Sequence, residues 1–260
     1  MKRLVFLVFL VIVGIQTQGQ VRFGVKGGMN ISKFDKFAVE DMNVDLSYRF
    51  AFHAGIFTEI PAGSFFSLQP ELLFSSKGSR CDLSRTANPP PTSGYDEIAY
   101  IMKILYSPCY FELPVYLKAG FKAGPGNFIL GVGPYIGYGI SGKLKASSKM
   151  ISRPSYDPAT LYIANGKMDV FKKDKLVMDV THIVPLVPST PHFSTVELPF
   201  DKDHLKRIDA GLTGFAGYEF NMGFFVTAGF QKGLCNIDNF DNDKNNLRNN
   251  TFTLSVGYKF

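Results

Sequence analysis

The last ten residues, TFTLSVGYKF, alternate without a break between apolar and polar side chains. Phe252, Leu254, Val256, Tyr258 and Phe260 fall on one side of an extended strand, and the Thr, Ser, Gly and Lys residues between them fall on the other. One side therefore suits hydrocarbon and the other suits polar contacts, which is the pattern of a strand that closes a transmembrane β-barrel. The rest of the chain must supply enough similar strands to close the sheet.

Seven other segments show the same period of two residues. They are Val21–Ser32, Tyr48–Ile60, Phe65–Lys77, a fourth that ends at Phe121 and begins as early as Ile98, Asn127–Gly142, Lys206–Phe220 and Phe224–Leu234. The connections between the eight segments alternate between long and short, which is the order expected when short turns lie in the periplasm and long loops lie outside. We therefore predict an all-β fold, namely an eight-stranded antiparallel up-and-down transmembrane β-barrel with a porin-like architecture.

The N-terminus has the composition of an export signal. Lys2 and Arg3 precede the apolar run Leu4–Ile15, and Thr17 and Gly19 follow it. That run is too short to span a bilayer comfortably. We predict a signal peptide over residues 1–19, a barrel over residues 20–260 and residence in the cell outer membrane, in contact with its lipid.

The longest connection, residues 142–205, is predicted to be an extracellular insertion between the fifth and sixth strands. Asn165-Gly166 lies between alternating flanks within Leu161–Phe171 and predicts a hairpin turn, and Lys175–Val184 is a candidate for a further strand. The insertion is basic, so an anionic glycan or lipopolysaccharide is one candidate contact and a merely solvated loop is the other. Its basic residues include Lys143, Lys145, Lys149, Arg153, Lys167, Lys172, Lys173 and Lys175.

Alternation also sorts the charged residues of the strands. Ten of them share the parity of the barrel interior, five acidic and five basic, and are predicted to form a structural charge network in the lumen: Arg22, Lys26, Glu59, Glu71, Lys77, Glu112, Lys118, Asp209, Glu219 and Lys259. The interior of an eight-stranded barrel is just wide enough to be filled by side chains, and buried charges must pair. We therefore expect a filled lumen, with a proton or ion path as the alternative. Glycines at inward positions of the fifth segment make room for bulky neighbours.

Catalytic, cofactor and metal sites are not indicated. Three cysteines allow one disulfide, for which the candidate pair is Cys81 and Cys109, and there is no CxxC motif. The stretch around Asp241 and Asp243 departs from a calcium loop, since Asn246 replaces the required glycine and Phe252 replaces the bidentate glutamate. The four histidines are scattered, and no basic run with interleaved aromatics suggests nucleic-acid binding.

Six segments resemble the PorT-like outer-membrane β-barrel family of Gram-negative bacteria. They are Phe23–Ser32, Phe111–Lys118, Leu130–Gly139, Ala210–Phe220, Gly233–Ile237 and the terminal strand. The resemblance implies outer-membrane residence and recognition of the C-terminal strand by the barrel-insertion machinery. It also implies, as an alternative function, an accessory role in a protein secretion or gliding apparatus.

The function favoured by these observations is a small, non-enzymatic outer-membrane barrel that presents its outer loops for binding or surface architecture. Two further alternatives stay open. One is a lipid or peptide hydrolase at the barrel rim, which would need a Ser, a His and an acid to converge. The other is a soluble lipocalin-like barrel, which the outward apolar residues disfavour.

Overall fold

The computed structural model describes residues 20–37, 42–87, 95–154, 160–173, 175–183, 192–199, 202–239 and 246–260, so the predicted signal peptide lies outside the described residues. Within these ranges the chain forms one antiparallel sheet of 13 strands, which confirms the predicted all-β class. The strands are β1 (Arg22–Lys36), β2 (Asn43–Ser47), β3 (Arg49–Pro61), β4 (Phe66–Ser76), β5 (Arg80–Ala87), β6 (Tyr95–Ala123), β7 (Gly126–Pro154), β8 (Thr160–Asp169), β9 (Lys175–Ile183), β10 (His192–Pro199), β11 (Ile208–Phe220), β12 (Phe224–Gly233) and β13 (Asn246–Lys259).

Eight of the strands pair in a ring, each with a neighbour on both sides. The order is β1, β3, β4, β6, β7, β11, β12 and β13, and β13 pairs with β1 again. These eight strands correspond to the eight segments predicted from alternation. Their period of two places one set of side chains inside the ring and the other set outside.

The chain has more strands than predicted, because parts of the long connections pair with extensions of β6 and β7. Both of these strands are 29 residues long and stay paired with each other beyond the ring. There β5 and β2 add to the edge of β6, and β8, β9 and β10 add to the edge of β7. We call this part of the sheet, which projects from one end of the ring, the head sheet. The predicted insertion thus begins within β7.

The predicted hairpin at Asn165-Gly166 is wrong. Both residues lie in the middle of β8, where Gly166 is in register with Ala146 of β7 and Met178 of β9. A pairing partner on each side holds this segment extended, so tertiary context overrides the local turn preference. The strand expected at Lys175–Val184 is confirmed as β9.

Three tight turns join ring strands at the end opposite the head sheet, which we call the short-turn end. They connect β3 to β4, β6 to β7 and β11 to β12. Gly63 and Gly223 lie in two of them with φ values of 112° and 90°, a backbone region that favours glycine. All three turns were predicted from the sequence.

The ring has an apolar outside and a polar inside. Large apolar side chains stand exposed on every ring strand, for example Ile56 at 58%, Val132 at 61% and Leu212 at 53% exposure. Of the interior side chains, Gln69, Glu112 and Asp209 are among the most deeply buried. No helix in the described part of the chain is long and apolar enough to cross a membrane.

An apolar cluster, the cap, covers the end of the ring interior nearest the head sheet. The buried face of the head sheet packs there against the segments that lead into β11 and β13. The members include Phe34, Cys81, Leu83, Ile104, Tyr106, Tyr110, Leu144, Met168, Val170, Phe171, Leu205, Ile237 and Leu247. The molecule therefore has a polar interior closed on one side by an apolar cap.

Candidate functional site

The ring interior at the short-turn end holds a four-membered charge cluster. Lys118 Nζ lies 2.7 Å from Glu59 Oε2 and 2.8 Å from Glu219 Oε2. Lys259 contacts the same two carboxylates, at 3.2 Å from Glu59 Oε2 and in close contact with Glu219. The residues come from four strands, and their two positive and two negative charges cancel. Such mutual pairing is what makes four buried charges tolerable.

A second cluster lies between the ring and the cap. Lys77 is fully buried, with Nζ 2.5 Å from Glu112 Oε1 and 3.2 Å from Asp209 Oδ2. Asp209 also accepts hydrogen bonds from Tyr135 Oη at 3.2 Å and Asn249 Nδ2 at 3.0 Å. These hydrogen bonds stabilise the negative charge of Asp209, because a single lysine cannot balance the charges of two carboxylates.

One more ion pair joins β1 to β4, between Lys26 Nζ and Glu71 Oε2 at 2.8 Å. Nine of the ten predicted network residues thus take part in interior ion pairs. Arg22 does not: its side chain is exposed and lines an open depression of 320 Å³ at the short-turn end, beside Glu219 and Lys259. Arg22 has the predicted parity, but it lies at the first position of β1, where the interior opens to solvent.

A serine, a histidine and an amide converge inside the ring. His53 Nε2 lies 2.8 Å from Ser255 Oγ, and His53 Nδ1 lies 2.7 Å from Asn30 Oδ1. This chain of hydrogen bonds, from a serine to a histidine to a third polar group, resembles the Ser-His-acid arrangement of a hydrolase. However, all three side chains are buried, and none of them lines the depression that Arg22 borders. The arrangement joins β1, β3 and β13, and it is not at the rim where a hydrolase site was considered.

Burial shifts the pKa of several groups in or beside the cap, among them His204 and Cys81. Burial lowers the pKa of His204 to about 4, and its Nε2 lies 3.0 Å from Tyr106 Oη. Burial shifts the pKa of the Cys81 thiol in the opposite direction and raises it to about 12. Both groups are therefore neutral at pH 7 in the folded protein.

The predicted disulfide between Cys81 and Cys109 is absent, and Cys235 is free as well. Cys81 pairs in register with Ile104, five residues before Cys109 on the same strand. At about 3.4 Å per residue the two cysteines are roughly 17 Å apart, well beyond the reach of a disulfide. Within the described ranges there is also no cluster of His, Cys, Asp or Glu fit for a metal. Asp241, Asp243 and Asn245 of the rejected calcium loop lie outside the described residues.

The outer face of the head sheet forms an open basic groove of about 960 Å³. Three acidic residues, Asp82, Asp169 and Asp179, also line it. Its cationic residues are twice as many, drawn from five strands or strand extensions: Arg80, Lys103, Lys143, Lys145, Lys167 and Lys175. The groove is the candidate binding site of this protein, because it combines a large concavity with an excess of positive charge.

Four of the eight basic residues predicted for the insertion line this groove: Lys143, Lys145, Lys167 and Lys175. Others are occupied elsewhere, since Arg153 pairs with Glu97 at 2.7 Å and Lys172 lies 3.7 Å from Asp169. Sequence reasoning missed Arg80 and Lys103. The signal for Arg80 was the alternation in RCDLSRTA, where Cys81 and Leu83 face the cap and Arg80 faces the groove.

Comparison with known proteins gives a family match. A family model described as outer membrane protein beta-barrel domain matches residues 16–239. No curated protein is significantly similar to the chain in sequence.

Solved structures give distant matches. The attachment invasion locus protein Ail of Yersinia pestis, crystallised with the heparin analogue sucrose octasulfate, is 12% identical with a TM-score of 0.32, and the match covers 93% of this chain and 100% of that chain. The translocator domain of the autotransporter NalP from Neisseria meningitidis is 11% identical with a TM-score of 0.24, and covers 100% of this chain and 95% of its own.

Proposed function

The chain belongs to the outer membrane protein beta-barrel domain family, and we propose that its eight ring strands cross the outer membrane as a closed, non-enzymatic barrel with a filled lumen. The head sheet projects from the outer surface and presents its groove for binding. The observation that carries this proposal is the inversion of polarity, since exposed apolar side chains surround an interior of paired charges. A soluble protein would have to hydrate that apolar surface.

The height of the apolar belt supports the same function. On β6 the outward apolar side chains run from Phe111 to Phe121. Ten residues at about 3.4 Å each, tilted by about 40°, rise roughly 26 Å, which matches the apolar band of such barrels. Short turns of these barrels lie in the periplasm, so the short-turn end is assigned to the periplasm and the head sheet to the exterior.

The filled lumen is supported by the interior ion pairs and by the cap. Lys77, Lys118 and Lys259 occupy the lumen with their carboxylate partners, and apolar side chains close the outer end. In planar bilayers we expect no steady current. A stable open-channel conductance would favour the ion path instead.

The absence of enzymatic activity is part of the proposal. Ser255 and His53 form the hydrogen bond that a hydrolase needs, but both lie within the packed lumen. A lipid or peptide substrate would have to displace interior side chains to reach Ser255 Oγ. This burial supports a structural role for the pair.

The resemblance to the PorT-like branch supports an alternative function, as an accessory of a secretion or gliding apparatus. The matching segments lie in the ring strands or next to them. They therefore support the barrel assignment but do not identify a partner. The same resemblance assigns the C-terminal strand β13 and the Phe260 that follows it to recognition by the insertion machinery. Affinity purification from membranes should recover secretion components reproducibly if the alternative holds.

Cell fractionation tests the main proposal. We expect the protein in the outer membrane, with an electrophoretic mobility that changes on heating, and cleavage by trypsin on intact cells within the head sheet at Lys143 or Lys167 while Lys122 of a periplasmic turn is spared. Recovery of folded protein from the soluble periplasmic fraction would overturn the proposal.

A further inference from the structure

The lipid-facing side of β7 continues directly into the basic groove. Val132, Ile136 and Ile140 point outward, and the pairing with β6 then skips Ile140, since Cys109 pairs with Ser141 and Tyr110 pairs with Gly139. This bulge shifts the alternation by one residue. Beyond it Lys143 and Lys145 are exposed while Gly142 and Leu144 are buried.

The adjacent strand β6 has the same arrangement. Its outward side carries Leu113 and Phe111 in the belt and Lys103 further out. The groove therefore lies on the outer wall of the barrel, above the apolar belt. With strands tilted by about 40°, Lys143 and Lys145 stand roughly 8 Å and 13 Å above Ile140. These are the levels at which the polar head groups of the outer leaflet begin.

Like charges face each other across two strands of the groove. Lys145 of β7 is directly opposite Lys167 of β8, and such pairs have Cβ atoms about 5 Å apart and destabilise a sheet. Neither lysine has an ion pair with any other described residue. Arg80, Lys103 and Lys143 are also without ion pairs to the described parts of the chain. An external anion between these cations would relieve the repulsion.

The acidic residues of the groove do not neutralise the facing pair Lys145 and Lys167. Asp82 and Asp179 lie in the next row outward, opposite Lys103 and Asn165. Asp169 is opposite Lys143, but it accepts a hydrogen bond from the backbone N–H of Phe171 and lies near Lys172. Lys175 is already paired with Glu197 at 2.7 Å. Unpaired positive charge thus remains on Arg80, Lys103, Lys143, Lys145 and Lys167, and Lys145 and Lys167 are directly opposite each other.

We infer that the groove binds the phosphorylated saccharide head of a glycolipid from the surrounding outer leaflet. Phosphate oxygens bridge Lys145 and Lys167, with Lys143 as the third contact, and the acyl chains lie along the belt beneath Ile140. Charge-assisted hydrogen bonds to phosphate are among the stronger polar contacts. The groove volume suits a sugar-sized ligand.

The position of the groove above the apolar belt indicates that its ligand comes from the membrane. A groove for a free glycan needs no apolar surface beneath it, whereas here the exposed side chains of Ile136, Tyr138 and Ile140 lead up to the lysines on the same strand face. A ligand with both a phosphorylated head and acyl chains fits both surfaces at once. This inference rests on the proposed function, because the membrane level is set by the barrel.

Native mass spectrometry of the folded full chain in detergent tests the inference. The probes are a hexa-acylated disaccharide glycolipid with two phosphates, the same glycolipid after enzymatic dephosphorylation, and the free disaccharide bisphosphate. We expect the phosphorylated glycolipid to bind most tightly. The variant Lys143→Gln/Lys145→Gln/Lys167→Gln should weaken its binding by about tenfold or more, because three charge-assisted contacts are lost.

The matched control is Lys36→Gln/Lys122→Gln/Lys206→Gln, which removes three exposed lysines outside the groove. It should change binding by less than about twofold, because these charges lie away from the ligand. Equal weakening by both triple variants would overturn the site. Equal binding of the dephosphorylated glycolipid would overturn phosphate recognition, and equal binding of the free bisphosphate would overturn the membrane source.

Heat-modifiable mobility of each variant verifies that the barrel is folded. It also separates the two proposals. A wild-type protein that is heat-modifiable in the outer membrane, yet shows no preference for the phosphorylated glycolipid, overturns this inference and leaves the proposed function standing. A protein that never enters the outer membrane overturns the proposed function itself.

Discussion

Gly139 of β7 lies against the ring of Phe171, so that a Cβ at position 139 would be 2.4 Å from Phe171 Cζ. This contact joins the lumen to the cap, because Gly139 ends the lumen-facing part of β7 and Phe171 is buried in the cap. The absence of a side chain at one position makes room for a large one at the other. The same relationship joins Gly131 to Phe215, as predicted for inward glycines.

Gly139→Ala should therefore destabilise the folded barrel by about 1–3 kcal/mol through overpacking. Denaturant unfolding from lipid vesicles measures the change. Gly120→Ala is the control, because the nearest atom to its added methyl group is 4.0 Å away. Replacing Phe171 by Leu in the Gly139→Ala background should recover part of the loss, and a fully additive double variant would contradict the proposed contact.

Lys77→Met should be the most damaging single change in the lumen. It leaves Glu112 and Asp209 close together without their cation, and breaking a buried ion pair costs about 3–5 kcal/mol. The same substitution at the exposed Lys122 should have little effect. An unfolding midpoint for Lys77→Met that matches wild type would show that the network adds nothing to stability.

Ser255 should be inert toward a fluorophosphonate probe in the folded protein. The side chain is 2% exposed, and its hydroxyl is held by His53. Ser255→Ala should cost about 1 kcal/mol, because a buried imidazole nitrogen loses its partner. Mass spectrometry of the probe-treated protein checks the first expectation, with a serine hydrolase in parallel to verify the reagent. A covalent adduct on Ser255 would revive the hydrolase hypothesis.

Cys81 should react slowly with iodoacetamide at pH 8, because burial raises its pKa from 9.0 to about 12. A raised folded-state pKa means that the unfolded chain ionises first, so the contribution of this thiol to stability is intact below pH 9 and falls as the pH rises from 9 toward 12. Intact-mass analysis should find Cys81 alkylated only after unfolding. Cys81→Ser should not show the additional loss of stability above pH 9.

Much of the ring was predictable because lipid on one side and a packed lumen on the other impose a strict period of two. That period located the eight ring strands and assigned nine paired charges to the interior. It failed for Arg22, since parity does not indicate where the lumen opens to solvent. It also failed at Asn165-Gly166, where a local turn preference yields to pairing on both sides.

Only some features of the groove could be predicted from the sequence. The lysines of the insertion were visible in the sequence, but their common face depends on the skipped Ile140, and a bulge leaves no clear mark in the pattern of residues. Arg80 and Lys103 join the groove because β5 and β6 pair beyond the ring. That pairing links residues whose proximity alternation alone does not indicate.

The pairing of β6 with β7 along almost their whole length has a consequence for how the sequence can change over evolution. Because one ladder runs from the short-turn end into the head sheet, adding or losing a single residue beyond Ile140 would exchange the two faces of the strand from that point on. Leu144 and Ala146 would move to the exterior, and Lys143 and Lys145 would move into the cap. Length changes in these two strands are therefore tolerated in steps of two residues, or in compensating pairs. Related sequences should differ freely at the ends of β8–β10 and almost never by one residue within this hairpin.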